Sequence, residues 1–90
     1  MTQPTALQVM LEVTRQFQRI AREAMEGPKP DLIKAKKWMK KAKSSGRKAA
    51  PYVATPMLRD RITGDQPMSE PEWDKLLLAE EAERARLGLP

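Results

Sequence analysis

Apolar residues stepping by three and four along this 90-residue chain predict an all-α fold, a small domain of three to four helices. Composition points the same way. The apolar residues are mostly Ala, Leu, Met and Val, with only Phe17, Trp38, Tyr52 and Trp73 as aromatics. Such side chains suit helices packed side by side better than a sandwich or barrel. Capping residues, prolines and glycines also divide the chain into helix-sized pieces, and no alternating strand pattern or internal repeat intervenes. A chain this short buries a modest core, so the same helices also suit a hairpin that oligomerises.

The first helix is expected from about Thr5 to Met25. Thr5 and Gln8 form a capping-box pattern after Pro4. Ala6, Met10, Val13, Phe17, Ile20 and Ala24 form the apolar stripe. Leu7, Leu11, Ala21 and Met25 widen it. Arg15, Arg19 and Arg22 lie on another face, near Glu12, Glu23 and Glu26, as a paired polar surface. Gly27-Pro28-Lys29-Pro30 ends the helix.

Asp31 caps the second helix, its charge suiting the helix start. Leu32, Ala35, Met39 and Ala42 are its expected inward positions, with Ile33 and Trp38 beside them. Ser44-Ser45-Gly46 is the weak point, since all three are poor helix formers. The helix either ends there or continues to Ala50, and Pro51 bars it from going further.

Thr55-Pro56 reads as N-cap and first helical position of a short third element, with Gly64 as its stop. After a linker, Ser69-Glu70-Pro71-Glu72 combines a capping box with a first-turn proline and two first-turn acids. The last helix is expected from about Glu70 to Leu87, with Gly88 as its stop. Beyond Leu78 it offers mainly alanines to bury, so that half is expected to be exposed, frayed or held by a partner. This organisation divides the chain into a helical core over 1–64 with a basic second helix, and a linker plus acidic C-terminal helix over 65–90.

Charge is the strongest functional signal. The net charge is +5, but residues 31–50 hold eight basic groups and one acidic, while residues 65–90 hold three basic and seven acidic. Lys34, Lys36, Lys37, Lys40, Lys41, Lys43, Arg47 and Lys48 fall within 15 residues that contain no anion. A field so concentrated suits a polyanion, and these eight are the candidate nucleic-acid contacts. Lysines give point-charge attraction to phosphates without reading bases. The other reading is a solvated helix face. Trp38 either stacks on an unpaired base or belongs to the core. On the acidic helix, Trp73, Leu76, Leu77, Glu80 and Glu81 are the candidate partner-binding residues.

Other chemistry finds little support. The chain has no histidine and no cysteine, which removes the commonest acid-base group, the commonest metal ligands and any disulfide. No Gly-rich phosphate loop is present. No catalytic or metal site and no cofactor are therefore expected. A magnesium nuclease written from Glu72, Asp74 and Glu80 is no better than any acidic helix offers. No run approaches the about 18 apolar residues that span a bilayer, and no signal-peptide pattern opens the chain. A soluble protein of the cytoplasm, without membrane contact, is expected.

Two segments carry a family likeness: Thr5-Ala6-Leu7-Gln8-Val9-Met10-Leu11-Glu12-Val13, and Lys48-Ala49-Ala50-Pro51-Tyr52-Val53-Ala54-Thr55-Pro56-Met57-Leu58. Together they resemble short prophage small-terminase-like proteins of DNA packaging. Those carry a TPLEVML helix start and a helix ending in AAPYVHPRL. The likeness covers about residues 5–58. Ala54-Thr55 replaces one histidine of that pattern, and Met57 replaces an arginine. The family's basic N-terminal arm has no counterpart before Thr5, which leaves Lys34 to Lys48 to supply the charge. The resemblance implies a non-enzymatic accessory of viral genome packaging. It would bind DNA, form a homo-oligomer and contact the large terminase subunit, in the host cytoplasm if phage-encoded. An interaction protein that binds or inhibits a host or viral protein is the rival expectation.

Overall fold

A computed structural model describes residues 5–90. Four α-helices follow in order: α1 (Ala6–Ala24), α2 (Leu32–Ala49), α3 (Pro56–Ile62) and α4 (Glu70–Leu87). A single 3-10 turn (Ala50–Tyr52) joins α2 to α3. The chain is a small all-α domain, with no strand among the described residues.

The helix starts are local chemistry. Thr5 Oγ1 accepts the Gln8 N–H at 3.1 Å, and Gln8 Oε1 accepts the Thr5 N–H at 2.8 Å, which completes the capping box. The Asp31 carboxylate accepts the Lys34 N–H at 2.9 Å. Ser69 accepts the Glu72 N–H at 3.3 Å, but the Glu72 carboxylate turns away to Arg61 at 2.8 Å, so that box is only half made. Gly88, at φ +72°, closes α4 in the left-handed conformation that glycine adopts without steric cost.

α2 does not stop at Ser44-Ser45-Gly46. It runs through to Ala49, and Gly46 lies where α3 packs against it. A Cβ on Gly46 would sit 1.8 Å from the Ile62 carbonyl oxygen, so α2 and the end of α3 approach more closely than any side chain permits. Ser45 is used as well. Its hydroxyl lies 2.7 Å from Thr14 Oγ1, which itself donates to the Met10 carbonyl at 2.9 Å. With the Thr14 proton so directed, Ser45 is the donor between them.

The buried faces differ from the expected stripes. On α1 the buried residues are Leu7, Leu11, Thr14, Gln18 and Ala21, whereas Ala6 and Val13 are exposed. On α2 they are Ala35, Ala42, Gly46 and Ala49, whereas Leu32 is exposed. Small residues on α2 let it lie close against its neighbours, and bulk comes from elsewhere. The core joins Leu7 and Leu11 to Ala49, Val53, Leu58, Ile62, Met68, Trp73 and Leu76.

Residues 65–90 are therefore not an appendage to a 1–64 core. Met68 and Trp73 are fully buried within it. Gln18 ties them to α1: its Oε1 accepts both the Met68 N–H at 2.8 Å and the Trp73 indole N–H at 2.9 Å. A buried amide that satisfies two buried donors is stabilising, and without it both would pay for desolvation unpaired.

Nor do Arg15, Arg19 and Arg22 form ion pairs with Glu12, Glu23 and Glu26 among the described residues. All three guanidinium groups converge on Glu70 in the first turn of α4. Arg15 donates through Nε at 2.8 Å and also through Nη2, Arg19 through Nε at 3.0 Å and Arg22 through Nη2 at 3.1 Å. Arg15 also reaches Asp74 at 3.0 Å, and Arg22 the Met68 carbonyl at 2.6 Å. The hydrogen bond from Arg19, then those from Arg15 and Arg22, outweigh the cost of burial and hold the Glu70 pKa down at about 2.

Candidate nucleic-acid interface

The buried edge of α2 determines where its cations point. Ala35, Ala42, Gly46 and Ala49 face the core, so the remaining half of the circumference faces solvent. Lys34, Lys36, Lys37, Lys40, Lys41, Arg47 and Lys48 are exposed, and Lys43 is half-buried. Helical spacing sorts the eight into two rows. Lys36, Lys40, Lys43 and Arg47 form one; Lys34, Lys37, Lys41 and Lys48 form the other; Ser44 lies between them. The 18 residues of α2 extend about 27 Å.

Almost none of this charge is neutralised within the fold. Among the described residues one of the eight makes an ion pair: Lys43 Nζ meets Asp65 at 2.7 Å. The Lys43 hydrogen bond, with the Lys43 charge behind it, lowers the Asp65 pKa. From Lys34 to Lys48 the cations span about 21 Å, or about four helical turns, a surface that can attract an extended array of anions.

Trp38 is half-buried and engaged by two neighbouring side chains. Its ring lies 5.6 Å from that of Phe17, and Lys41 Nζ sits 4.4 Å from its centre. These contacts anchor the base of the lysine face to α1.

The proposed partner-binding set on α4 divides. Trp73 and Leu76 are core residues, and Leu77 packs partly against that core. Glu80 is only 3% exposed. Its carboxylate accepts the N–H groups of Ala54 at 2.9 Å and Thr55 at 2.9 Å, and Arg84 lies at 3.4 Å. Burial favours its neutral form, but those N–H donors and Arg84 prevail, and its pKa is lowered. Arg84 also donates to the Tyr52 carbonyl at 2.9 Å. The second half of α4 is thus pinned to the α2–α3 connection rather than frayed. Trp73, Leu76 and Glu80 hold the monomer together and present no surface to a partner. Glu81 stays exposed.

A feature absent from the sequence patterns lies between α1 and α4. A groove of about 1190 Å³ runs along the first two turns of α1 and the outer face of α4, and no residue of α2 lines it. Val9, Val13, Leu78 and Leu89 are exposed along it. Val9 and Val13 on α1 are apolar yet lie outside its buried face, and they belong to this groove instead.

Glu72, Asp74 and Glu80 diverge to Arg61, Arg15 and the Ala54–Thr55 backbone respectively. Among the described residues no group of three or more His, Cys, Asp or Glu comes together to hold a metal ion. No helix among them is long and apolar enough to cross a membrane. Compared with protein-family models, curated proteins and solved structures, the chain matches none.

Proposed function

We propose that this chain is a non-enzymatic DNA-binding accessory of phage genome packaging, which engages the phosphate backbone through the lysine face of α2. The observation that carries this reading is the set of seven exposed cations with no anion on the same face. The motif likeness of residues 5–58 to small-terminase-like proteins supplies the packaging context, including a homo-oligomer and a large-terminase partner in the host cytoplasm. Lysines on a helix supply affinity without base readout, so low sequence specificity accompanies this mode of binding.

Titrating duplex DNA at several salt concentrations tests the proposal. If about five lysines each neutralise a phosphate, affinity drops several hundredfold between 50 and 200 mM salt, following the slope of about 0.9 per contact. Absence of binding at 50 mM salt, or binding indifferent to exchange of Lys36, Lys37, Lys40 and Lys41 for glutamate, would sink it.

The apolar groove favours a second reading, a small phage-type interaction protein that binds or inhibits a host or viral protein. A stoichiometric protein partner that survives nuclease treatment, in a chain that ignores DNA, selects that reading.

A further inference from the structure

The groove between α1 and α4 combines an apolar floor with an acidic rim. Val9 is 49% exposed, Leu78 66% and Leu89 45%, which places three large aliphatic side chains along one recess. Glu12, Asp74 and Glu81 stand around them. Among the described residues Glu12 is bonded only by the neutral Gln16, and Asp74 receives one of the bonds from an Arg15 shared with Glu70. Arg84, the one cationic side chain lining the groove among the described residues, is turned to Glu80, the Tyr52 carbonyl and the Pro90 carbonyl. A molecule of net charge +5 thus gathers carboxylates around this apolar recess.

We propose that this groove is a docking site for an amphipathic helix of another protein, whose apolar stripe is flanked by lysines or arginines. The lining runs from Thr5 to Val13 on α1 and from Asp74 to Ala85 on α4, enough for about three turns of a guest helix. Aliphatic side chains at i, i+4 and i+7 would fill the floor, and basic flanks would meet Glu12, Asp74 and Glu81.

Another copy of this chain is the competing occupant, because the start of α2 presents exposed Leu32 and Ile33 beside Lys34, Lys36 and Lys37. The choice against it rests on the proposed DNA binding. Docking α2 into a neighbouring groove would take those lysines away from phosphate, whereas a separate basic helix leaves both surfaces in use.

The test uses the full chain and a fluorescein-labelled 15-residue helical peptide, with leucines at i, i+4, i+7 and i+11 and lysines on both flanks. A twin peptide carries glutamates in place of the lysines. Anisotropy at 150 mM salt is expected to show saturable binding of the lysine peptide and at least tenfold weaker binding of the twin. Leu78→Asp and, separately, Glu81→Lys should each weaken the lysine peptide at least fivefold, with circular dichroism reporting an intact fold. Both side chains are exposed, so the two variants guard against a loss caused by misfolding. Equal binding of the two peptides, or indifference to both variants, overturns the proposal. So does concentration-dependent self-association in sedimentation that Leu78→Asp abolishes, since the groove would then belong to a second copy. Reversing Lys36, Lys37, Lys40 and Lys41 should leave peptide binding within about twofold, and Leu78→Asp should leave DNA binding unchanged. A failed groove and a failed DNA interface therefore give different results.

Discussion

The arginines of α1 and the lysines of α2 carry the same charge and do opposite work. Arg15, Arg19 and Arg22 lie 15%, 36% and 23% exposed and share Glu70. Seven of the eight cations along α2 stand in solvent with no carboxylate against them among the described residues. Side-chain chemistry explains part of the difference. A planar guanidinium satisfies several acceptors at once and sheds water more readily than an ammonium, so it suits a partly buried junction. Position explains the rest. α1 meets the first turn of α4, where the helix dipole also favours Glu70, whereas the outer half of α2 meets no other helix. A basic residue count alone therefore overstates the charge available to a ligand.

The sharpest way to break this contrast is to reverse charge on the outward set. Exchanging Lys36, Lys37, Lys40 and Lys41 for glutamate should lower duplex DNA affinity at 50 mM salt by a factor on the order of a thousand, while the melting temperature stays within about 2 °C. Loss of folding in that variant would mean that the lysines, like the arginines, hold the protein together. Next in size is Gly46→Val, which drives a side chain into the Ile62 carbonyl and should cost about 3 kcal/mol in urea unfolding. DNA affinity should fall with it only as far as the folded fraction does.

Glu70→Gln addresses the inward set. It should cost about 1–2 kcal/mol at neutral pH, allowing for the partial exposure of the site, and should leave DNA binding unchanged. Its pH dependence follows from a pKa lowered from 4.5 to about 2. A carboxylate depressed in the folded state contributes its full stability above the unfolded value and loses it as pH falls through the folded one. The gap in stability between native protein and variant should therefore be complete above about pH 5 and close towards pH 2. A gap that stays constant over that range would show that the arginines do not depend on the Glu70 charge. The smallest effect belongs to Asp65→Asn. Releasing Lys43 from its one ion pair should tighten DNA binding about twofold at low salt, with little change in melting.

Much of the fold was legible in local sequence. Thr5, Asp31, Ser69 and Gly88 act where their side chains or backbone freedom predict, because a cap needs only residues three or four positions away. The four helices, their order and the lysine cluster follow from the same short-range rules. The choice of buried face did not. On α1 the expected centre at Met10, Val13 and Phe17 moved to Leu7, Leu11, Thr14 and Gln18, because apolar residues surround more than one side and the partner helices select among them. In the tail, Ala79, Glu81, Ala82 and Ala85 are exposed as expected, and one residue departs from that pattern for a related reason. Glu80 is buried because it meets two backbone N–H groups from residues 54 and 55.

Sequence by itself determined the helices, their caps and a concentration of positive charge on α2, all set by interactions within a turn or two. Tertiary structure alone decided which charges remain free and which face of each helix is buried. It also decided that Gly46 marks a close crossing, that α4 belongs to the core and that an acidic groove opens beside α1. Those outcomes depend on contacts between residues far apart in sequence, such as Ile62 over Gly46 or Glu70 among three arginines, and no local pattern encodes which distant partner will be in reach.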